Sequence, residues 1–176
     1  MYKHEDYNPA KSESRSCGHG HDRTGEDSNE KHMRQALSLA REAGADGEAP
    51  VGCVVVNASG NVIGRGRNRR EKEKSATAHA ELEAIEEACN TLGDWRLSGC
   101  SLYVTLEPCP MCAGAAIMSR IDKLCYGAHD ELTGSCGSII NLFMEPYGQN
   151  TQITGGILAD ECAEILSEFF KTLRDR

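Results

Sequence analysis

The sequence predicts an α/β fold in which helices are layered on a sheet. Short apolar runs rich in Val, Ile and Leu alternate with segments whose apolar residues recur at helical spacing, from about residue 31 to the C-terminal end. No self-similarity at a period of roughly 20 to 50 residues is present, which argues against a solenoid. The length suits a single domain with a real hydrophobic core.

Residues 1–29 are polar and nearly free of aliphatic side chains, too little apolar surface to offset the entropy of ordering. They read as a flexible tail, leaving residues 30–176 as the folded domain. The tail holds Cys17-Gly-His19-Gly-His21, a set that can chelate a metal, although short Cys/His clusters in such arms are more often incidental. Order is expected from Asn29 or Lys31. There Met33, Ala36, Leu37 and Ala40 form a helical stripe that Gly44 stops. After Pro50, the run Val51–Val56, the turn-like Asn57–Asn61 and then Val62-Ile63 read as a β-hairpin.

A helix is expected from about Thr77 to Leu92, with Leu82, Ile85, Ala88 and Cys89 on one face and Ser75 or Thr77 as cap. Ser101–Leu106 reads as a buried strand. It is followed by a helix through Met111 to Ser119 opened by Pro108 or Pro110, a strand at Lys123–Tyr126 and a short one around Gln152–Thr154. In the last helix Cys162, Ile165, Leu166, Phe169, Phe170 and Leu173 form a wide apolar face.

The net charge of −8 argues against indiscriminate nucleic-acid binding. Residues 1–30 carry four Lys or Arg against seven Asp or Glu, which leaves the remainder at −5. One local basic stretch stands out, Arg65, Arg67, Arg69, Arg70, Lys72 and Lys74, readable as a solvated loop or as phosphate contacts. Nine cysteines, an odd number with no export signal, favour reduced thiols or metal ligands over a disulfide framework. Cys53, Cys89 and Cys162 lie in apolar patterns and are expected to pack. No segment approaches the roughly 18 apolar residues of a membrane span, so a soluble cytoplasmic protein is expected.

The chemistry lies in His79-Ala-Glu81 and Pro108-Cys109-Pro-Met-Cys112. A lone C-x-x-C is as readily a redox dithiol, and a lone histidine a core residue. Together they make a three-ligand zinc set, His79, Cys109 and Cys112, that leaves a fourth position for water, as catalytic sites do. Helix starts at both motifs would help stabilise the thiolates. Glu81 is near the metal without being needed as a ligand, which suits a proton shuttle, and H-x-E…P-C-x-x-C is the signature of zinc nucleobase deaminases.

On these motifs the sequence resembles the bacterial tRNA-specific adenosine deaminases, within the cytidine and deoxycytidylate deaminase superfamily. The likeness runs over residues 31–175 and includes Glu48-Ala-Pro-Val-Gly52, Asn68, Thr77-Ala-His-Ala-Glu81, Leu102–Cys109, Met111–Ala115, Thr133-Gly134 and Gly156–Cys162. It implies a three-layer α/β/α cytidine deaminase-like fold with a five-stranded mixed sheet. It also implies a homodimer with one zinc ion per subunit, catalysis by Glu81, and a tRNA anticodon loop whose wobble adenosine becomes inosine. By the same likeness Asn68 contacts the base, the Ala80 amide lies near its reacting edge, and Glu48, Asp130 and Thr133 belong to the substrate site. Asp130 and Thr133 also suit simple turn chemistry. His129 stands where some members carry arginine, and one of Phe169 and Phe170 is expected in the core, the other near RNA. Two other readings are deamination of a free base or nucleoside such as guanine, and a zinc-stabilised RNA-binding module without chemistry.

Overall fold

The computed structural model describes residues 23–147 and 150–174, so the Cys17/His19/His21 cluster and most of the polar tail lie outside the described residues. The first helix, α1 (Arg23–Ala45), begins before Asn29. Its apolar stripe starts only at Met33, so hydrophobic periodicity marks where the helix packs and not where it begins. Met33, Ala36, Leu37 and Ala40 are all buried.

The expected hairpin forms from β1 (Gly52–Val56) and β2 (Val62–Arg67), with the Asn57 side chain accepting the Ser59 and Asn61 N–H groups across the turn. A four-residue helix that periodicity is too short to reveal, α2 (Arg70–Glu73), follows. Next come α3 (Ala80–Leu92), β3 (Ser101–Leu106), α4 (Pro110–Met118), β4 (Lys123–Ala128), β5 (Gln152–Thr154) and α5 (Ala159–Arg174). The sheet order is β2-β1-β3-β4-β5, with β1 antiparallel to both neighbours and β3, β4 and β5 mutually parallel. The five-stranded mixed sheet is therefore as expected.

Alternation along the central strands makes the layers. Cys53, Val55, Leu102, Val104, Leu124 and Tyr126 pack with Ala80, Ala84 and Ala88 of α3 and Ala116 of α4. On the other face, clusters built on Val54, Tyr103 and Cys125 and on Ala128 take in residues of α1 and α5. Cys53 and Cys162 are core residues and Cys89 is partly buried against the core. The apolar stripe of α5 is buried only near its start. Phe169 and Phe170 meet edge to face at 5.4 Å, and neither joins a described core cluster.

Glycine sets how closely α3 approaches the sheet. A Cβ on Gly64 would lie 2.1 Å from the Ala84 carbonyl oxygen, and one on Gly66 would lie 2.0 Å from that of Ala80. The helix thus rests backbone to backbone on β2. Glu83 and Glu87, one turn apart, accept the Arg67 and Arg65 N–H groups of this edge strand at 2.8 Å, which blunts an otherwise open edge. Gly66→Ala must therefore lift the first turn of α3. Overpacking of this kind costs about 1–3 kcal/mol, so a melting temperature lower by several degrees is expected in thermal denaturation, with metal content reduced as well.

Candidate active site

Two helix starts converge at one point. His79 is the N-cap of α3 and Cys109 the N-cap of α4, with Pro110 in its first turn and Cys112 at its third residue. Ser75 and Thr77, expected as caps, instead hydrogen-bond each other at 3.1 Å, and no described side chain caps α3. The chain turns tightly there, His79 N–H to Thr77 carbonyl at 2.8 Å, which puts the imidazole at the helix end.

His79 Nδ1 is 3.5 Å from Cys112 Sγ and 3.7 Å from Cys109 Sγ, and all three ligand atoms lie within 4.8 Å of one another. Tetrahedral zinc, with bonds of about 2.0–2.1 Å to nitrogen and 2.3 Å to sulfur, requires ligand separations of about 3.5–3.8 Å. The donor set and its spacing fit zinc, and among the described residues this is the one such cluster of three or more.

The local electrostatics follow from crowding. The hydrogen bond from Cys112, helped by that from His79, holds the Cys109 thiol down at about 4 against the effect of burial. Cys112 is pushed the other way by its bond to Cys109, by burial and by the nearby Glu81 charge. His79 is raised, first by its hydrogen bond with Cys109. Glu81 is buried, and that burial raises its carboxyl above the usual range although its own N–H opposes the shift. A carboxyl raised in this way accepts a proton more readily than an exposed glutamate.

The ligands open onto a cleft of about 160 Å³ lined by His79, Ala80, Glu81, Cys109, Asn68, Asp130 and Thr133. Buried Cys112 lies off its lining. A larger hollow of about 330 Å³ shares His79 but otherwise holds none of the chemistry, and its Arg67 and Arg69 are ion-paired.

A family model for the cytidine and deoxycytidylate deaminase zinc-binding region matches residues 26–128, more than half of the chain. The tRNA-specific adenosine deaminase of Bacillus subtilis is 45% identical over 148 residues, which span 84% of this chain and 91% of that protein. The chain belongs to the tRNA-specific adenosine deaminase family. A second member, from Aquifex aeolicus, is 42% identical over 83% of this chain and 96% of its own. A solved structure from studies of A-to-I editing by tRNA:A34 deaminases superposes with a TM-score of 0.74 at 44% identity, covering 77% of this chain and 99% of the other. The guanine deaminase of Nitrosomonas europaea shares the fold at 26% identity, with a TM-score of 0.69 over 90% and 98%.

Within this family site, Glu48 stands apart from its expected role. It is 1% exposed and does not line the cleft; its carboxylate accepts the Glu71 and Lys72 N–H groups at 3.1 and 2.7 Å, capping α2. The motif places it near the substrate in sequence, but both oxygens are spent on backbone. Asp130 and Thr133 do line the cleft, and they also make turn bonds: Asp130 accepts from Leu132 N–H, Thr133 N–H and the Thr133 hydroxyl at 2.6 Å.

Half of the basic stretch is ion-paired. Arg67 pairs with Glu42 and Asp46, Arg69 with Glu73 and Glu83, and Lys72 with Asp46. Arg70 lines the cleft and has no described ion-pair partner. Sequence reading also passed over Glu107, a cleft-lining carboxylate just before the Pro-Cys motif. Its burial opposes ionisation, but hydrogen bonds from the Ser138 hydroxyl and N–H and from the Cys136 and Asp130 N–H groups hold it below the usual carboxylate range. An acidic residue at the end of a buried strand was the signal available.

Because each ligand closes one edge of the triangle, Cys112→Ser is expected to bring metal content from about one zinc per chain to near zero by elemental analysis. The far-ultraviolet circular dichroism should stay close to that of the parent, since the core clusters do not depend on this side chain.

Proposed function

We propose that this chain hydrolytically deaminates the wobble adenosine of a tRNA anticodon loop to inosine, with one zinc ion per subunit. The observation that carries the reading is the His79/Cys109/Cys112 triangle beside the buried Glu81 carboxyl, in a chain 45% identical to a tRNA-specific adenosine deaminase over most of both lengths.

When bound, zinc supplies a Lewis acid that brings the pKa of water toward about 7. Glu81 accepts the proton of the attacking water and delivers it to the ring nitrogen next to the amine-bearing carbon. With the new C–O bond formed, Glu81 takes the remaining proton of the added hydroxyl and passes it to the amine; the C–N bond breaks as the C–O becomes a carbonyl, so that adenosine and water yield inosine and ammonia. The Asn68 amide, on the cleft wall and engaged by no other described side chain, fixes the base in this reading. Ala80, first residue of α3 and part of the cleft lining, has a backbone N–H for which the helix offers no acceptor, which leaves it free for the base edge in this reading. So small a cleft takes one base at a time, which favours the unpaired nucleotides of a loop over a duplex. Arg70, at the cleft without a described counter-ion, suits a phosphate.

A purely structural zinc module gives no account of a buried carboxyl two residues from a ligand. Guanine is the competing substrate, on the strength of the fold shared with a guanine deaminase. No helix among the described residues is long and apolar enough to cross a membrane, and a cytoplasmic enzyme is part of this reading. The homodimer is supported by α4, which carries no charged side chain and leaves Met118 69% exposed, and by the 3₁₀ turn Leu142–Met144 packed against that helix, whose Met144 is 79% exposed. Met118→Glu is expected to shift the protein from dimer to monomer in sedimentation velocity.

The zinc-loaded protein, incubated separately with an anticodon stem-loop bearing a wobble adenosine, with free adenosine and with guanine, should form inosine in the stem-loop alone. Turnover of guanine alone would overturn the substrate while leaving the metal chemistry intact. Glu81→Gln should retain zinc and lose about 10²–10⁴-fold in kcat; full activity in that variant would remove the proton shuttle.

A further inference from the structure

We propose that Glu107 is a positioning residue that fixes the nucleotide-facing rim of the cleft by tying residues 129–138 to the end of β3. The proposal rests on the reading that this cleft takes a nucleotide, and it deepens that reading by naming what holds the recognising loop in place.

The Glu107 side chain is fully buried. Its Oε1 accepts the Cys136 N–H at 2.9 Å and the Ser138 N–H at 3.1 Å. Its Oε2 accepts the Asp130 N–H at 3.2 Å and the Ser138 hydroxyl, with His129 Nδ1 at 3.4 Å. Both oxygens are therefore spent on one loop. A carboxylate so engaged has little capacity left for substrate or water, so it acts through what it holds and not by touching the reacting atoms.

What it holds is irregular backbone without a helix or strand ladder of its own, apart from the bridge between Cys136 and Asn141. The loop needs an internal acceptor, because buried N–H groups left unpaired are costly. Gly134 is shaped to this arrangement, since a Cβ there would come within 2.6 Å of the Glu107 carboxylate and 2.4 Å of the Asp130 carbonyl oxygen. The Ser135 N–H adds a bond to the Pro108 carbonyl at 2.9 Å, on the same strand end. Fixed at Asp130 on one side and at Cys136 and Ser138 on the other, the loop sets Asp130 and Thr133 on the cleft wall. It also holds Leu132, 86% exposed, out between them. An apolar side chain presented on so constrained a turn is suited to the face of a base neighbouring the target.

The test uses the full-length zinc-loaded protein and the variants Glu107→Gln and Ser138→Ala, with stem-loop kinetics, zinc analysis and amide hydrogen exchange. Glu107→Gln replaces one acceptor oxygen by a donor facing other donors. It should raise KM about tenfold with kcat within about threefold of the parent, keep its zinc, and speed exchange at 130–138 but not in β3 or α4. Ser138→Ala should move KM and exchange in the same direction by less. Unchanged exchange in both variants, or a fall in kcat at unchanged KM, would overturn the proposal. So would zinc loss in Glu107→Gln while Ser138→Ala stays like the parent, because Glu107 would then serve Cys109 and not the rim. Should Glu107→Gln fail to fold, Ser138→Ala decides, and parental KM and exchange count against the latch. If the parent protein turns over guanine and not the stem-loop, the tRNA reading falls. The latch is then judged by exchange and by KM for guanine.

Discussion

Everything at this site depends on two helix N-termini meeting with a gap the size of one metal ion between them. One imidazole nitrogen and two sulfurs must come within 3.5–3.7 Å along the His79 edges, and the residues supplying them start different helices some thirty positions apart. Neither helix can place its ligand alone. The position of α3 is set by glycine on β2, where backbone meets backbone, and that of α4 by the Pro-opened turn that leaves β3. The parallel pair β3 and β4 carries this arrangement on strands buried along most of their length, the usual setting for a site at strand carboxyl ends. Small side chains on α3, at Ala80, Ala84 and Ala88, are the counterpart of those glycines.

The cleft walls repeat one device. On one side the buried carboxylate of Glu48 gathers the free N–H groups of α2, which begins at Arg70; on the other, Glu107 gathers those of the 129–138 loop. In both cases a charged acceptor inside the protein organises backbone that has too few residues to organise itself. Charge-assisted bonds of this kind are stronger than neutral ones, and removing the acceptor would strand several donors at once. The two acids share a chemistry with Glu81 but have opposite duties. Glu81 is desolvated and kept able to change its protonation, whereas Glu107 is saturated with donors and kept ionised.

Much of this was legible beforehand because it obeys local rules. The stripe from Met33 to Ala40, the Val-rich hairpin and the alternation of strand and helix all follow from burial at fixed periods, and the ligands follow from donor type and spacing. Where sequence reading fell short, the deciding partner was distant in the chain. Glu48 looked like a substrate contact until its partners at residues 71 and 72 were in view, and Glu107 drew no attention because its donors lie 23 to 31 positions away. The short α2 has too few residues to show a period. Arg67 and Arg69 read as a cationic strip because the acids that face them, on α1 and α3, are far off in sequence.

That half-paired strip bears on how RNA would be held. A basic groove draws affinity from the counterions that leave the phosphates, and it weakens steeply as salt is added. Here half of the local cations, Arg67, Arg69 and Lys72, already have protein carboxylates as their counterions, so docking a strand would set fewer others free. Binding would then draw on the fit of an unstacked base and its neighbours more than on long-range attraction, and would tolerate ionic strength better than a count of arginines between residues 65 and 70 implies.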